Sequence, residues 1–406
     1  MFNRKRTERG QVLILLTVGV ITLLGFTALA IDGGRIYSER RNIQGISDTA
    51  SMTGALYIAK TEGAITAAVI DQAELAALHR AETNGYSSPE VVVDITQDGD
   101  YYYVETVIHT QIDPTIVQLV YDGPLKVAAT STTRVQKVNV FALGQALFAI
   151  NSSACRSIYF HGTADVTIGN TGIFANSDCT DNAVEFQGDA EADLDGNITS
   201  VGGVVVNKPE NVDHGGILPG TQVDFSKIPP PSCAGLDPMS VSGSTLSPGV
   251  YNEMKFSGNG NWTLLPGLYC LDGDLSINNG TLVGNGVTFY MRSGTFRING
   301  GTVTLTAPSS EHTWSDGAEK SWYGMLVFFG YNNYDDLIWN GNAASFFAGT
   351  LYNYNGECQL NGTGNSLAYD AQVVCDTIDL IGNAELNIAY DPETKYLPPT
   401  VIDLIE

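Results

Sequence analysis

The sequence predicts a mostly β protein with an N-terminal transmembrane and stalk helix, a small α+β module and a C-terminal right-handed parallel β-helix (solenoid) of roughly ten coils. Three observations lead to this fold class. Residues 11–31 carry no charge, and a helical apolar pattern continues beyond them. From about residue 139 that periodicity ends, and Gly, Asn and Thr become frequent. A repeat of short β segments takes its place.

Residues 11–31 are long enough to cross a bilayer, because a helix rising ~1.5 Å per residue needs about 20 apolar residues to do so. Four basic residues lie within residues 1–10, which therefore predict a cytoplasmic basic tail. The bulk of the chain would then be extracytoplasmic. All six cysteines lie after residue 150, and an even number of cysteines fits disulfides in an oxidising compartment.

A cleaved signal peptide is the alternative for this segment, since Ala28-Leu29-Ala30 has the small-x-small form of a cleavage site. Against cleavage, an apolar seam crosses the expected cut at seven-residue intervals. The seam consists of Leu29, Ile36, Ile43, Ala50 and Tyr57. It predicts one helix running from the membrane into a helical stalk over 32–84, with its outer half packed on the helix of a partner subunit.

Residues 85–138 predict the small α+β module, with strands over 91–96, 102–112 and 125–138. The β-helix is expected over 139–400. Its Asn-Gly and Gly-Asn pairs fall at spacings of 20, 41, 21 and 20 residues, so each coil would turn at such a corner and the asparagines would stack in ladders. A segment rich in Pro and Gly, 207–245, predicts a loop insertion.

The net charge of −24 makes a nucleic-acid partner for the acidic body untenable, because phosphate binding needs clustered cations. One acidic run alternates along a strand, which places its carboxylates on one face. Its members are Asp189, Glu191, Asp193 and Asp195. They are candidate Ca²⁺ ligands, with a solvated outer face as the alternative. No other cofactor is predicted.

No arrangement of residues predicts catalysis. Asp335 and Asp336 are adjacent, so on a strand they would point to opposite faces, and no base lies near them in the sequence. The five histidines are scattered and match no triad motif. Chain neighbours suggest three disulfides, of which the outer two would join successive coils and the middle one would hold the insertion. The pairs are Cys155–Cys179, Cys233–Cys270 and Cys358–Cys375.

The stretch ERGQ…LALAIDGGRIYSERRNIQGISDTASMTGALYIA resembles the N-terminus of TadE/TadG-like proteins of bacterial tight-adherence (Flp) pilus systems. The shared features are one span, the exit Asp32-Gly33, and a helix of the type Gln44…Asp48-Thr49-Ala50. The resemblance covers 8–60 well and 61–138 loosely. Processed pilins carry a glutamate five residues after the cleaved glycine, whereas Leu15 stands five residues after Gly10, so we expect an uncleaved anchor.

The resemblance implies a membrane-anchored pilus-assembly or pseudopilin-like structural or adhesion protein without catalytic activity. Its expected partners are the lipid bilayer, other pilus or envelope subunits bound through the N-terminal helix, and a surface glycan or protein ligand on the β-helix. Two alternatives stay open: a membrane-tethered carbohydrate-active β-helix enzyme, which would need carboxylates across a groove, and a β-helix protein secreted after signal-peptide cleavage.

Overall fold

The computed structural model describes residues 9–61, 65–99, 101–119, 121–136, 141–225, 227–310, 314–315, 317–341, 345–362, 367–382, 385–398 and 401–405. The chain forms two compact units, one of Met1–Asn139 with Pro399–Glu406 and the other of Val140–Pro398. The protein is mostly β, with one long apolar helix at the N-terminus and a large parallel sheet. These features confirm the predicted class at that level.

The first unit consists of two helices and a four-stranded antiparallel sheet. Helix α1 spans Arg9–Lys60 and helix α2 spans Ala67–Thr83. The sheet runs in the order β1, β2, β3 and then a C-terminal strand that pairs with β3. Its strands are β1 (Val91–Asp98), β2 (Tyr101–Ile112), β3 (Leu125–Gln136) and the C-terminal strand (Val401–Ile405).

The helices cover one face of this sheet. Alternate residues of β2 are buried, as period-two alternation requires for a sheet covered on one face. Ile43 of α1 packs with Ile108 of β2 and Val127 of β3, and the Ser47 hydroxyl donates to the Thr106 carbonyl at 2.5 Å. The middle of α1 is therefore part of the core of the first unit.

The second unit is built from many short strands joined by turns. In chain order they are β4 (Leu147–Ala149), β5 (Ile158–Gly162), β6 (Asp165–Gly169), β7 (Ile173–Ala175), β8 (Val184–Phe186), β9 (Glu191–Leu194), β10 (Ile198–Ser200), β11 (Val204–Val206), β12 (Val212–His214), β13 (Ile217–Pro219), β14 (Pro238–Met239), β15 (Thr245–Leu246), β16 (Gly249–Tyr251), β17 (Met254–Phe256), β18 (Asn261–Leu264), β19 (Gly267–Leu271), β20 (Leu275–Ile277), β21 (Thr281–Asn285), β22 (Val287–Met291), β23 (Phe296–Ile298), β24 (Thr302–Thr306), β25 (Met325–Phe329), β26 (Leu337–Gly341), β27 (Phe346–Gly362), β28 (Leu367–Gly382) and β29 (Glu385–Ala389).

These strands pair in parallel to form three ladders. Ladder A runs β14-β16-β19-β22-β25-β27-β28-β4-β7-β10-β13. Ladder B runs β17-β20-β23-β26-β27-β28-β5-β8-β11. Ladder C runs β15-β18-β21-β24-β27-β28-β29-β6-β9-β12. The long strands β27 and β28 contribute to all three.

The order of strands in the ladders differs from their order in the chain. The first strands, β4 to β6, pair on one side with the following strands β7 to β9 and on the other side with β28 and β29. The chain therefore starts inside the ladders and proceeds to one end at β13. It then returns to the opposite end at β14 and proceeds back until it reaches its own first strands.

The return connection is residues 220–237, which we call the strap. The expected loop insertion 207–245 was too wide, because 207–219 and 238–245 take part in β12 to β15. Pro and Gly did not prevent these strands, since each is only two or three residues long and lies at a ladder end, where proline is tolerated. The described residues of the strap itself form no strand.

The strap lies along ladder A and is fixed there by specific contacts. The Asn176 side chain bonds both the N–H and the C=O of Val223, at 2.7 and 2.9 Å. The Phe225 ring centroid is 5.0 Å from that of Phe148, and the Ile228 carbonyl accepts a hydrogen bond from Tyr331 at 2.6 Å. These contacts cover the outer side of ladder A, which explains why β4 and β25 are buried at every position.

The predicted asparagine ladder is present along the C-terminal ends of four neighbouring strand segments of ladder B, those of β20, β23, β26 and β27. The side-chain amides of Asn278, Asn299, Asn340 and Asn361 bond one to the next at 2.8, 3.3 and 2.6 Å. Beside the last two, Gly341 and Gly362 are in register, as the 21-residue spacing requires.

Candidate membrane-anchoring site

The apolar part of α1, residues 12–31, has no buried side chain, and we call it the bare part of the helix. Large side chains such as Leu13, Phe26 and Leu29 are exposed, although exposing such a surface to water is unfavourable. The hydroxyls of Thr17 and Thr22 donate to the carbonyls four residues earlier at 2.8 Å, so these polar groups have partners without water. Within the described part of the chain, α1 is the one helix long and apolar enough to cross a membrane.

Directly after this segment, Asp32 fixes the helix to the folded part of the first unit. Its side chain is buried and accepts three backbone hydrogen bonds from successive residues of the β2–β3 connection. The donors are the N–H groups of Thr115 at 2.7 Å, Ile116 at 2.9 Å and Val117 at 2.7 Å. We call this arrangement the Asp32 clamp. It sets where the bare helix ends and the folded unit begins.

The environment of the clamp favours the ionised carboxylate. The hydrogen bond from the Val117 N–H is the largest influence, and with the bonds from Thr115 and Ile116 it outweighs the opposing effect of burial, so that the pKa of Asp32 falls to about 2. One turn further on, Arg35 donates to the Asp113 carbonyl at 2.8 Å and to the Thr115 hydroxyl. Two residues of α1 thus hold one loop.

The clamp predicts a pH dependence of the stability of the first unit. Because the pKa of Asp32 is lower in the folded state than its value of about 3.9 in an unfolded chain, the carboxylate stabilises the fold above pH ~4 and this contribution disappears as the pH falls towards 2. We expect the melting temperature of the first unit, followed by circular dichroism, to drop over that range.

The substitution Asp32→Asn supplies the control. The amide accepts hydrogen bonds more weakly and does not ionise, so the variant should be less stable at pH 6 and should lose part of the change between pH 4 and 2. An equal pH dependence in the variant and the wild type would show that other carboxylates cause it.

The apolar seam has a different partner from the one the sequence suggests. Ile43 and Ala50 have no exposed surface, because the sheet of the first unit covers them. Ile36 packs at the margin of the same cluster, whereas Leu29 and Tyr57 remain exposed. The expectation that the whole seam pairs with a partner helix is wrong for its centre, where the chain's own β2 and β3 take that place.

The acidic run has the alternating geometry that the sequence predicts. Ala192 and Leu194 are buried in β9, while Glu191 and Asp193 face outward. Asp189 pairs with Lys208, and Asp195 accepts from the Asn170 N–H at 2.8 Å. Among the described residues no three His, Cys, Asp or Glu side chains are grouped to hold a metal ion. Calcium binding by these four residues stays a prediction.

The structure brings together each of the suggested cysteine pairs as a disulfide. The Cα atoms are 5.2 Å apart for Cys155–Cys179, 6.3 Å for Cys233–Cys270 and 6.0 Å for Cys358–Cys375. The first and third link neighbouring strands or turns of the ladders, and the second fixes the strap to β19. We call β4 to β13 the first half of the second unit and β14 to β29 the second half. Cys155–Cys179 lies within the first half, Cys358–Cys375 lies within the second half, and Cys233–Cys270 joins the strap to the second half.

The two carboxylates considered for catalysis accept hydrogen bonds from backbone N–H groups. Asp335 accepts from the Gly294 N–H at 3.1 Å, and Asp336 accepts from the Glu357 N–H at 3.2 Å. Sequence reasoning missed the pair His161–Asp379, whose side chains are 2.9 Å apart on neighbouring strands. Only the register of β5 on β28 joins them, and these strands are more than 200 residues apart in the chain. It missed the clamp partners of Asp32 for the same reason.

Together the exposed apolar half of α1 and the clamp form a helix of membrane-spanning length joined to a small α+β fold. Residues 10–56 match the model of the family described as putative Flp pilus-assembly TadE/G-like. This match confirms the resemblance to TadE/TadG-like proteins for these residues. No curated protein and no solved structure matches the chain. The match includes Asp32 and Arg35 and ends before the sheet and the second unit.

Proposed function

We propose that the protein is a membrane-anchored, non-catalytic component of a pilus-assembly or pseudopilin-like apparatus that presents its second unit outside the cytoplasm. The proposal rests on the extent of the family match along α1. The TadE/G-like match over 10–56 contains both the bare apolar half of α1 and the clamped half that joins the folded unit. An anchor and its attachment are thus present in one domain.

The orientation follows from charge and cysteine chemistry. The basic residues before the span favour a cytoplasmic N-terminus, and three disulfides fit an oxidising compartment on the other side. We infer that the anchor is retained uncleaved. Cleavage after Ala30 would make Ile31 the new terminus, next to Asp32, and would separate the clamp from the apolar part of the helix that it fixes.

We propose further that the second unit is a right-handed parallel β-solenoid of roughly ten coils. The support is the regular parallel register in three ladders, together with the strong preference of parallel crossover connections for the right hand. Such a body is elongated along its ladders and buries its core by stacking. Its outer surface would contact other envelope subunits or an extracellular ligand.

Localisation and processing test the proposal in one experiment. Protein from the membrane fraction of the producing bacterium is analysed by intact mass, and intact spheroplasts are treated with an added protease. We expect a full-length mass and protease access to everything beyond the span, with a protected basic tail. Replacing the four basic residues of the tail by asparagine should reduce the fraction with this orientation.

Two outcomes would contradict it. Loss of residues 1–30 in a soluble fraction would support the secreted alternative, and protection of the second unit in spheroplasts would place it in the cytoplasm. Each outcome concerns the anchor alone and leaves the fold of the second unit unaffected.

A further inference from the structure

A cleft of about 650 Å³ opens on the second unit beside ladder C. One wall is a row of side chains at the same position of neighbouring strands, because Asn285, Thr306, Ala348 and Asp370 follow one another in register. Neighbouring strands are about 4.8 Å apart, so this wall presents an amide, a hydroxyl, a methyl and a carboxylate in a line. The facing wall comes from the turn after β24, Tyr323, and the segment that follows β29.

The base of the cleft holds an ion pair between a buried lysine and a partly exposed aspartate. The Lys395 side chain is 2% exposed and its ammonium contacts Asp370, while the Thr394 hydroxyl donates to the second oxygen of Asp370 at 3.2 Å. Burial lowers the pKa of Lys395, and the hydrogen bond that its ammonium donates to Asp370 opposes this. Removing the Lys395 ammonium from water is costly, and such a pair seldom adds stability over apolar packing. The pair is therefore better explained by what it presents to the cleft.

Backbone packing positions this pair. Gly324 adopts φ +78°, and a Cβ atom there would lie 2.3 Å from the carbonyl carbon of Lys395. Glycine thus lets the segment after β29 lie directly against the turn before β25. The Tyr396 N–H then donates to the Thr350 hydroxyl at 3.0 Å, which fixes Lys395 in place. The cleft is accordingly a preformed feature of the fold.

The lining excludes several classes of ligand. Apart from Tyr323 its apolar members are small, so it gives a lipid or an aromatic drug-like molecule little surface to bury. Asp370 and Asp391 outnumber Lys395, which is already paired, so anions such as phosphate are repelled. The remaining groups are hydroxyls, the Asn285 amide and carboxylate oxygens, which bond hydroxyl groups well. The Tyr323 ring offers an apolar face to C–H groups.

We propose that this cleft binds a neutral, hydroxyl-rich ligand, namely a mono- or disaccharide. Asp370 and Asp391 accept hydrogen bonds from its hydroxyls, Asn285 and Thr306 bond along one edge, and Tyr323 packs on one face. The inference goes beyond the anchoring role and does not depend on it, because every residue involved belongs to the second unit.

The test uses the full-length protein in a detergent without a sugar head group, so that no head group competes. The probes are glucose, galactose, mannose, N-acetylglucosamine and cellobiose, measured by saturation-transfer NMR and calorimetry, with glucuronate as a charged analogue. We expect at least one neutral sugar to bind, and glucuronate to bind at least about tenfold more weakly than the neutral sugar that binds most tightly. Asp391→Asn should weaken binding about tenfold, since a hydrogen bond to a charged group is of that strength. Tyr323→Ala should weaken binding by about the same factor, because it removes the ring that packs on one face of the sugar.

The matched control is Tyr334→Ala, which removes a tyrosine that is 71% exposed and lies outside the cleft. This variant should bind as the wild type does, and all variants should melt at the same temperature. The proposal is overturned if none of the five neutral sugars binds, if binding survives both cleft substitutions unchanged, or if glucuronate binds as well as the tightest neutral sugar. Membrane anchoring would be unaffected by any of these results.

Discussion

Replacing Ile43 by aspartate is expected to unfold the first unit and to leave the second unit intact. Ile43 has no exposed surface and packs on residues of β2 and β3, so the substitution buries a carboxylate without a partner. Such a change costs more than about 4 kcal/mol, a large fraction of the stability of a small unit. Thermal unfolding of the full chain, followed by circular dichroism, should lose the transition of the first unit and retain that of the second.

Met52→Asp is the control for this prediction. Met52 lies on the same helix and is 45% exposed, so its replacement should change the free energy of unfolding by less than about 0.5 kcal/mol. A different result for Ile43→Asp would be informative: normal folding with loss of self-association or partner binding would show that the seam docks another helix, as its heptad spacing suggests.

The second large effect is expected at the contact between the two halves of the second unit. A protease site inserted between Pro229 and Pro230 would cut the strap, and none of the disulfides joins the two fragments. The cut protein should nevertheless elute as one species, because β4 to β6 remain paired with β28 and β29 and the C-terminal strand with β3. Size-exclusion chromatography at micromolar concentration measures this.

In the Ile378→Asp variant, the two fragments should dissociate once the strap is cut. Ile378 is buried and in register with Ile158 of the first half and Cys358 of the second. An uncut strap keeps the halves at an effective concentration on the order of millimolar, so the uncut variant stays together and the cut variant separates. Ile381→Asp, on the partly exposed end of the same strand, should remain associated after cutting. Separation of the cut wild type without denaturant would contradict the order of strands in the ladders.

Local patterns predicted the elements of the fold but not all of their partners. Alternation identified β1, β2 and β3, and Asn-Gly corners identified the spacing that places Gly341 beside Gly362. The strand Val401–Ile405 pairs with β3 across more than 260 residues, which no local pattern encodes. The repeat also does not show that β28 lies beside β4, because strands with similar sequence patterns could pair equally well with any of one another.

The candidate site was predictable to a similar degree. The length of the uncharged segment identified the anchor, and the family resemblance drew attention to Asp32. Its three hydrogen bonds come from residues more than 80 positions away, so their formation follows from the tertiary fold. The seam misled for a physical reason: helical periodicity shows that a face is covered, but the same pattern results whether the cover is a helix of another chain or a sheet of this one.

The position of β4 to β6 between two later sets of strands has a consequence for how the chain folds during its synthesis. About 200 residues separate β6 from β28, and at roughly 5–20 residues per second their synthesis takes on the order of 10–40 seconds. During that time one row of backbone N–H and C=O groups on β4 to β6 has no strand to pair with, which is the kind of edge that promotes aggregation. Translocation before folding, or a chaperone bound to this edge, would protect the nascent chain until β28 arrives.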